Sequence, residues 1–448
     1  MTIQGQRISM GKTPVLCGVI CLGMVSACGV KEEVFQNGAG ISDPGKPQLT
    51  FSPANKGLPE KGKWKSTSRI VDVNNDGFVD IVAHERLGKG PHVWLGNQQG
   101  TWVSAIEGLK FPGLTSCGGG VDVGDVNNDG YLDLAVADHC QGLFVYLGNG
   151  KGQWRATVEA MNSALSKKPD TSEDEMNPYS GAESLVLGDI NEDGFLDIVS
   201  VASDLGGFSV YLGDGSGVLW KEILKEDGLP SGNDPESGDQ NEAGWATDLL
   251  LHDMNGDGHL DLAAAYYAGP RVWLGNGKGQ WEPAFDGIPD GLFGGIYWGI
   301  EAGDVNEDGK PDLVVSSVVN GPMVYLQKAD GSWESSPDVM PRMKGGAYGL
   351  ALDDLDGDGH LDIVVAGMLE AKSGKYGAFV LSGDGKGAWD ESKTNLPETG
   401  LQITMGVAIG DLNGDRKPDV VLNSGGSNPD IGFRKDLSRV QVWLNNRR

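Results

Sequence analysis

A nine-residue acidic motif recurs seven times along the 448 residues, and that repetition leaves few architectures open. Its copies read DVNNDGFVD from Asp72, DVNNDGYLD from Asp125, DINEDGFLD from Asp189, DMNGDGHLD from Asp253, DVNEDGKPD from Asp304, DLDGDGHLD from Asp354 and DLNGDRKPD from Asp411. Each copy belongs to a unit of about 50 residues, a period typical of solenoids, propellers and arrays. A small-residue strand precedes the motif (LVLGD, IEAGD, VAIGD), and an apolar, β-branched run follows it (DIVAH, DLAVA, DIVSV). Runs apolar at successive positions suit strands covered on both faces. A third strand is written VWLG, VYLG or VWLN. A glycine turn then leads to a fourth strand, which opens at Trp102, Trp154, Trp220, Trp281, Trp333 and Trp389. Four short antiparallel strands, seven times over, predict an all-β, seven-bladed β-propeller with the acidic motif as a loop in each blade.

The seventh unit stops after its third strand, VQVWLNN. FSPANKGLP from Phe51 matches WEPAFDGIP from Trp281 in its aromatic, proline, alanine and glycine positions. The N-terminal segment is therefore expected to supply the outer strand of the last blade and close the ring, which places the propeller at residues 51–448.

Ahead of it, Arg7 and Lys12 precede an apolar run from Pro14 to Ala27. The run is shorter than the roughly 20 residues a membrane-spanning helix needs, and has the flanks of an export signal. Its end, Val25-Ser26-Ala27-Cys28, resembles the lipobox of bacterial lipoproteins, where the cysteine is lipidated; the alternative is an ordinary secretory signal with Cys28 incidental. The resulting expectation is a signal peptide at 1–27, a lipid on Cys28 and a flexible tether at 28–50. Residue 29 is glycine rather than the aspartate that retains such proteins in the inner membrane, so the outer membrane of a bacterial envelope is expected. Contact with the membrane would then run through the lipid alone.

The formal net charge of −28 argues against nucleic acid as a partner and requires that the acid be solvated or bound to cations. In an exported chain, Cys117 and Cys140 flank the second acidic loop nearly symmetrically, which fits a disulfide between adjacent strands; two buried thiols are the alternative.

Within the motif, oxygen side chains fall at positions 1, 3, 5 and 9, with glycine at 6. Position 1 is Asp72, Asp125, Asp189, Asp253, Asp304, Asp354 or Asp411; position 3 is Asn74, Asn127, Asn191, Asn255, Asn306, Asp356 or Asn413. Position 5 is Asp76, Asp129, Asp193, Asp257, Asp308, Asp358 or Asp415; position 9 is Asp80, Asp133, Asp197, Asp261, Asp312, Asp362 or Asp419. Position 7 varies as Phe78, Tyr131, Phe195, His259, Lys310, His360 and Lys417, so only its backbone carbonyl is expected to serve as a ligand. This pattern resembles an EF-hand loop and points to Ca²⁺, up to seven ions in a structural role. Without metal, the converging carboxylates would repel one another. The seventh loop replaces the glycine by Arg416, which strains the turn and brings a cation close.

These units resemble the FG-GAP / VCBS repeat of integrin α-chain heads and bacterial surface proteins. The Phe-Gly position appears as Trp298-Gly299, Tyr348-Gly349 and Met405-Gly406, and the Gly-Ala-Pro position as Ala268-Gly269-Pro270 and Asn320-Gly321-Pro322. The resemblance implies a propeller over residues 51–448 and leaves the role open among adhesins, lectins and lyases.

In such a propeller the face opposite the acidic loops carries the blade-to-blade connections. Here these include the insertions Ser163–Ser184 and Ser231–Gly244, and the same face carries the loops between second and third strands, long in the sixth and seventh units at Met368–Gly377 and Asn423–Arg439. Trp64, Trp245, Tyr297, Trp298 and Tyr348 are the aromatics expected there, either as a ligand surface or as plugs of the propeller axis. Enzyme signals are sparse. The sequence holds no nucleophile elbow, phosphate loop or HExxH, and His84, Glu85, Arg86 and His139 are isolated candidates. The favoured reading is a non-enzymatic adhesion or scaffold module for an envelope or surface protein. The alternatives are a glycan-binding lectin and, third, a polysaccharide lyase.

Overall fold

Each blade is one repeat unit, and the repeat explains its strands. The computed structural model describes residues 49–447 except 98, 112–115, 162–180, 203–206, 224–227, 231–245, 267–268, 290–296, 337–345, 371–374, 398–402 and 427–437. The expected signal peptide, Cys28, Trp245 and most of the two insertions lie outside the described residues.

Short apolar runs separated by Gly/Asp turns produce 28 strands, arranged as seven four-stranded antiparallel sheets. In the first blade they are Arg69–Val71, Asp80–Glu85, Gly90–Leu95 and Val103–Ser104, paired in chain order. The second strand of a blade is buried along its whole length in DIVAHE, DLAVAD, DLAAAY and DLVVSS, because both its faces meet neighbouring blades. Val199 and Val201 of the third blade thus share a core with Leu249 and Leu262 of the fourth. Each such side chain contributes about 1.5–3 kcal/mol on full burial.

The ring closes as the sequence implies. Phe51–Pro53 pairs with Val440–Asn445, which pairs in turn with Asp419–Gly426 and the innermost strand Ile403–Gly410. Phe51 stands opposite Asn445. Asn395 of the sixth blade clamps this strand: the Phe51 amide donates to its Oδ1 at 2.6 Å, and its Nδ2 donates to the Phe51 carbonyl at 2.7 Å. The tether expected at 28–50 runs two residues too far. Leu49 is buried in the same core, and the Thr50 carbonyl accepts from the Asn446 amide at 2.8 Å.

Around the axis, the Phe-Gly glycines are places where the next blade's inner strand crosses at backbone distance. A Cβ on Gly406 would lie 2.5 Å from the Ser66 carbonyl oxygen, and one on Gly349 would lie 2.8 Å from that of Met405. A side chain there would push the blades apart.

Candidate functional site

The seven acidic loops share a hydrogen-bond scheme, seen in full in the first. Asp72 accepts from the Asp76 amide (3.1 Å) through one oxygen and from the Gly77 amide (2.8 Å) through the other. Asn74 Oδ1 accepts from the Asp76 amide at 3.1 Å, and Asp76 Oδ1 accepts from the Phe78 amide at 2.9 Å. Asp80 is fully buried; it accepts from the Val73 amide at 2.9 Å and from Gly96, at the end of the third strand, at 2.8 Å. The ninth aspartate is therefore a latch between loop and sheet, a role that the ligand pattern alone does not reveal. Burial first, and the loop's other carboxylates after it, outweigh these backbone bonds. Asp80, Asp133, Asp197, Asp362 and Asp419 are pushed up to about 7, and Asp261 and Asp312 to about 6.

Positions 1, 3, 5 and 9 offer hard oxygens suited to a divalent cation. In the sixth loop, one carboxylate oxygen each from Asp354, Asp356 and Asp362 lies within 4.8 Å of the others. Four of the position 7 side chains stand beside carboxylates. Lys310 and Lys417 lie 3.5 and 3.4 Å from Asp308 and Asp415, while His259 and His360 each bond a glutamate of the preceding blade's loop, Glu192 and Glu307, at 2.5 Å. Asn75 and Asn128 reach the next loop through the Gly130 and Gly194 carbonyls, both at 3.3 Å. This position-4 belt between loops has no signature within a single repeat, because it joins residues more than 50 positions apart.

Cys117 and Cys140 form the disulfide, and the adjoining strands pair in the register their numbers imply, Val121 with Val136 and Gly124 with Asp133. Beside it lies a buried network that sequence reasoning missed. Ser116 Oγ contacts His84 Nε2 at 2.8 Å and donates to Asp138 Oδ2 at 2.7 Å. Asp138 also accepts from the amides of Cys117 and Cys140, both at 3.0 Å. Ser116, His84 and Asp138 are all buried, and burial lowers the His84 pKa. The serine proton goes to the carboxylate while its oxygen stays bonded to the imidazole, so the trio ties the disulfide hairpin to the first blade.

The expected ligand-face aromatics divide. Trp64 is a correction: it is 1% exposed and packs edge-on against His92 and Trp94, at 5.2 and 5.4 Å, between the first and last blades. Tyr297 is another, at 2% exposed with its hydroxyl 3.7 Å from the Met323 sulfur. Both point away from the axial cavity and pack on the third strands of their blades, at His92 and Trp94 and at Met323 and Tyr325. Trp298 and Tyr348 do line the axial cavity, in an edge contact at 5.5 Å.

That cavity draws lining residues from all seven inner strands and holds about 510 Å³, solvent at its mouth included. Ser66, Thr67, Ser184 and Thr247 supply small polar groups. Lys65 pairs with Glu183 and stands 5.1 Å from the Trp298 ring centre. Glu183 also meets His139 Nδ1 at 2.5 Å; burial opposes its ionisation, but Lys65 and His139 hold it down to about 2. Deeper, Arg69 bonds Asp122 at 2.9 Å. Burial raises Asp248 to about 6 against the pull of Arg69, and burial with Asp248 raises Glu301 to about 8.

The fold and its loops define a seven-bladed β-propeller built from acidic-loop repeats. The FG-GAP-like repeat matches residues 72–136, 125–200, 253–315 and 304–365, more than half of the chain, and the chain belongs to this family. It is 32% identical to human (Homo sapiens) integrin alpha-6 over 97 residues, covering 18% of this chain and 8% of the integrin. It is 31% identical to the T-cell immunomodulatory protein of Rattus norvegicus over 158 residues, covering 33% and 25%. The chain thus spans a quarter or less of these curated relatives. Among solved structures, an Agrocybe aegerita lectin that recognises non-reducing terminal N-acetylglucosamine superposes with a TM-score of 0.51 at 21% identity, over 75% of this chain and 81% of that one. BBS1N in complex with ARL6DN superposes with a TM-score of 0.53 at 10% identity, over 90% and 98%. These two likenesses concern the fold alone. An FG-GAP propeller with integrin relatives reads as a binding module.

Proposed function

We propose that this chain is a saccharide-binding module of the bacterial envelope, held by a lipid on Cys28, stiffened by Ca²⁺ in its acidic loops and acting without catalysis. The axial cavity carries this reading. Trp298 and Tyr348 beside four hydroxyl side chains form a concave site of mixed apolar and hydroxyl character, the chemistry that suits a sugar, whereas a protein partner asks for a broad surface. Calcium fits the donor set: position 1, 3, 5 and 9 side chains with the position 7 carbonyl would hold it. Bound there, it would neutralise carboxylates that otherwise repel.

The test is retention of the protein on immobilised envelope polysaccharides and peptidoglycan in Ca²⁺ buffer. Retention is expected, weakened about tenfold by Trp298→Ala through loss of roughly 1.4 kcal/mol of ring contact. Absence of retention on every saccharide would sink the reading in favour of an envelope protein partner. Release of cleaved product would overturn its non-catalytic part.

A further inference from the structure

We propose that the Cys117–Cys140 disulfide is a reducible staple of the axial cavity's wall, so that a dithiol reductant loosens the cavity and weakens its hold on a saccharide. The staple stands on the geometry of the second blade; its effect on a saccharide rests on the saccharide reading.

The wall beside the disulfide is bare backbone. Gly119 and Gly120 line the cavity. In the third blade the lining residues that hold the same places ahead of the acidic loop, Glu183 and Ser184, belong to the inner strand Ala182–Gly188. In the second blade the inner strand is only Val121–Gly124, so Gly118, Gly119 and Gly120 stand ahead of it as a run without side chains. Such a run is conformationally loose unless it is tied down. Hydrogen bonds reach it from both sides. The His139 amide donates to the Gly118 carbonyl at 2.8 Å, and the Ala137 amide to that of Gly120 at 2.9 Å. The Gly120 amide donates to the Glu183 carbonyl at 2.9 Å, and Ser66 Oγ donates to the Gly119 carbonyl. The disulfide closes the run covalently, from Cys117 at its entrance to Cys140 just beyond the strand Asp133–Asp138.

The other arm of the disulfide also leads to the cavity. His139, next to Cys140, meets Glu183 at 2.5 Å; Glu183 pairs with Lys65, which lines the cavity over the Trp298 ring. Cys117 and Cys140 are half-buried rather than enclosed, as attack by a thiolate requires. Reduction is a thiol–disulfide exchange. One thiolate of the dithiol attacks a cysteine sulfur, and its second thiol resolves the mixed disulfide. Two electrons and two protons pass to Cys117 and Cys140, while the dithiol closes to its own disulfide. The pairing of Val121–Gly124 with Asp133–Asp138 and the Ser116–Asp138 bond do not need the sulfurs, so loosening is expected in the glycine run and not around the ring.

Hydrogen exchange read by mass spectrometry, on the full-length protein in detergent and Ca²⁺ buffer, would compare the oxidised protein, the protein treated with dithiothreitol and the Cys117→Ser, Cys140→Ser double variant. Retention on immobilised peptidoglycan and envelope polysaccharides would be measured on the same samples. On reduction, amides of residues 116–121 are expected to exchange at least about tenfold faster, with peptides of the fifth blade unchanged. Retention is expected to weaken at least about tenfold and to return on reoxidation, and the double variant should match the reduced protein. Failure of dithiothreitol to free the two cysteines in the folded protein, or unchanged exchange once they are free, overturns the staple. Faster exchange in every blade overturns it too, because the bond then holds the whole fold. Local loosening with unchanged retention overturns the effect on binding. Absence of retention in the oxidised protein overturns the saccharide reading, and the exchange of residues 116–121 still decides the staple.

Discussion

Arg416 holds φ = +65° at the position where the other six loops carry glycine, so its side chain works against the backbone. For a residue with a Cβ this conformation costs about 1–2 kcal/mol. Arg416→Gly is expected to raise the stability of the protein by about 1 kcal/mol, read as a higher melting temperature at fixed Ca²⁺. An unchanged or lower melt would mean that the Arg416 side chain stabilises the loop by other contacts. The strain at position 6 was legible in the sequence because only Gly answers a turn repeated six times. Position 4 was not. Asn75, Asn128, Glu192 and Glu307 all take φ between 55° and 58°, yet no single residue type marks the position. Their side chains are used between blades, a constraint that belongs to the assembled ring. The buried Ser116–His84–Asp138 network escaped for the same reason, since its members come from three separate segments.

At the level of the strand, two closures carry the ring. Asn395 satisfies both main-chain groups of Phe51, which is itself 3% exposed. Asn395→Ala removes two part-buried hydrogen bonds and is expected to cost about 1 kcal/mol in urea denaturation. A loss below a few tenths would show that water replaces the clamp. The glycine at 406 does the matching work inside. Its Cβ-free backbone lets the seventh blade's inner strand pass Ser66 and Thr67, and Gly406→Ala is expected to cost about 1–3 kcal/mol by the same measurement. The closing strand was readable because FSPANKGLP repeats a pattern present within the chain. The burial of Leu49 was not, since a buried leucine and a tether leucine look alike until the core they enter is known.

For the molecule as a whole, the acidic loops set the balance. A cation at a hundred times its dissociation constant adds roughly 2.7 kcal/mol per site, so several sites together rival the 5–15 kcal/mol that a domain commands. Exhaustive chelation is expected to lower the melting temperature by more than about 10 °C, and an unchanged melt would refute the calcium reading. The chelated protein should also respond to pH in a stated direction. Its ninth-position carboxyls have folded pKa values near 6 to 7, above the unfolded value of about 3.9. The stability they contribute is complete below pH 4 and is lost as pH rises through 6 to 7. Melts in chelator should therefore be higher at pH 5 than at pH 8. A rise toward pH 8 would mean that the latch aspartates ionise freely in the fold.

The repeat by itself determined the number of blades, the order of strands and the closing segment, and it made a disulfide between Cys117 and Cys140 one of two open readings. All of these follow from local pattern: strand periodicity, turn chemistry and a register that two cysteines must share. Only the tertiary structure decided which aromatics face the axis, which aspartates are latches and where Ser116 meets His84. Each of those depends on how inner strands converge and on what the neighbouring blade buries, and burial by a distant segment leaves no mark on the residues it covers.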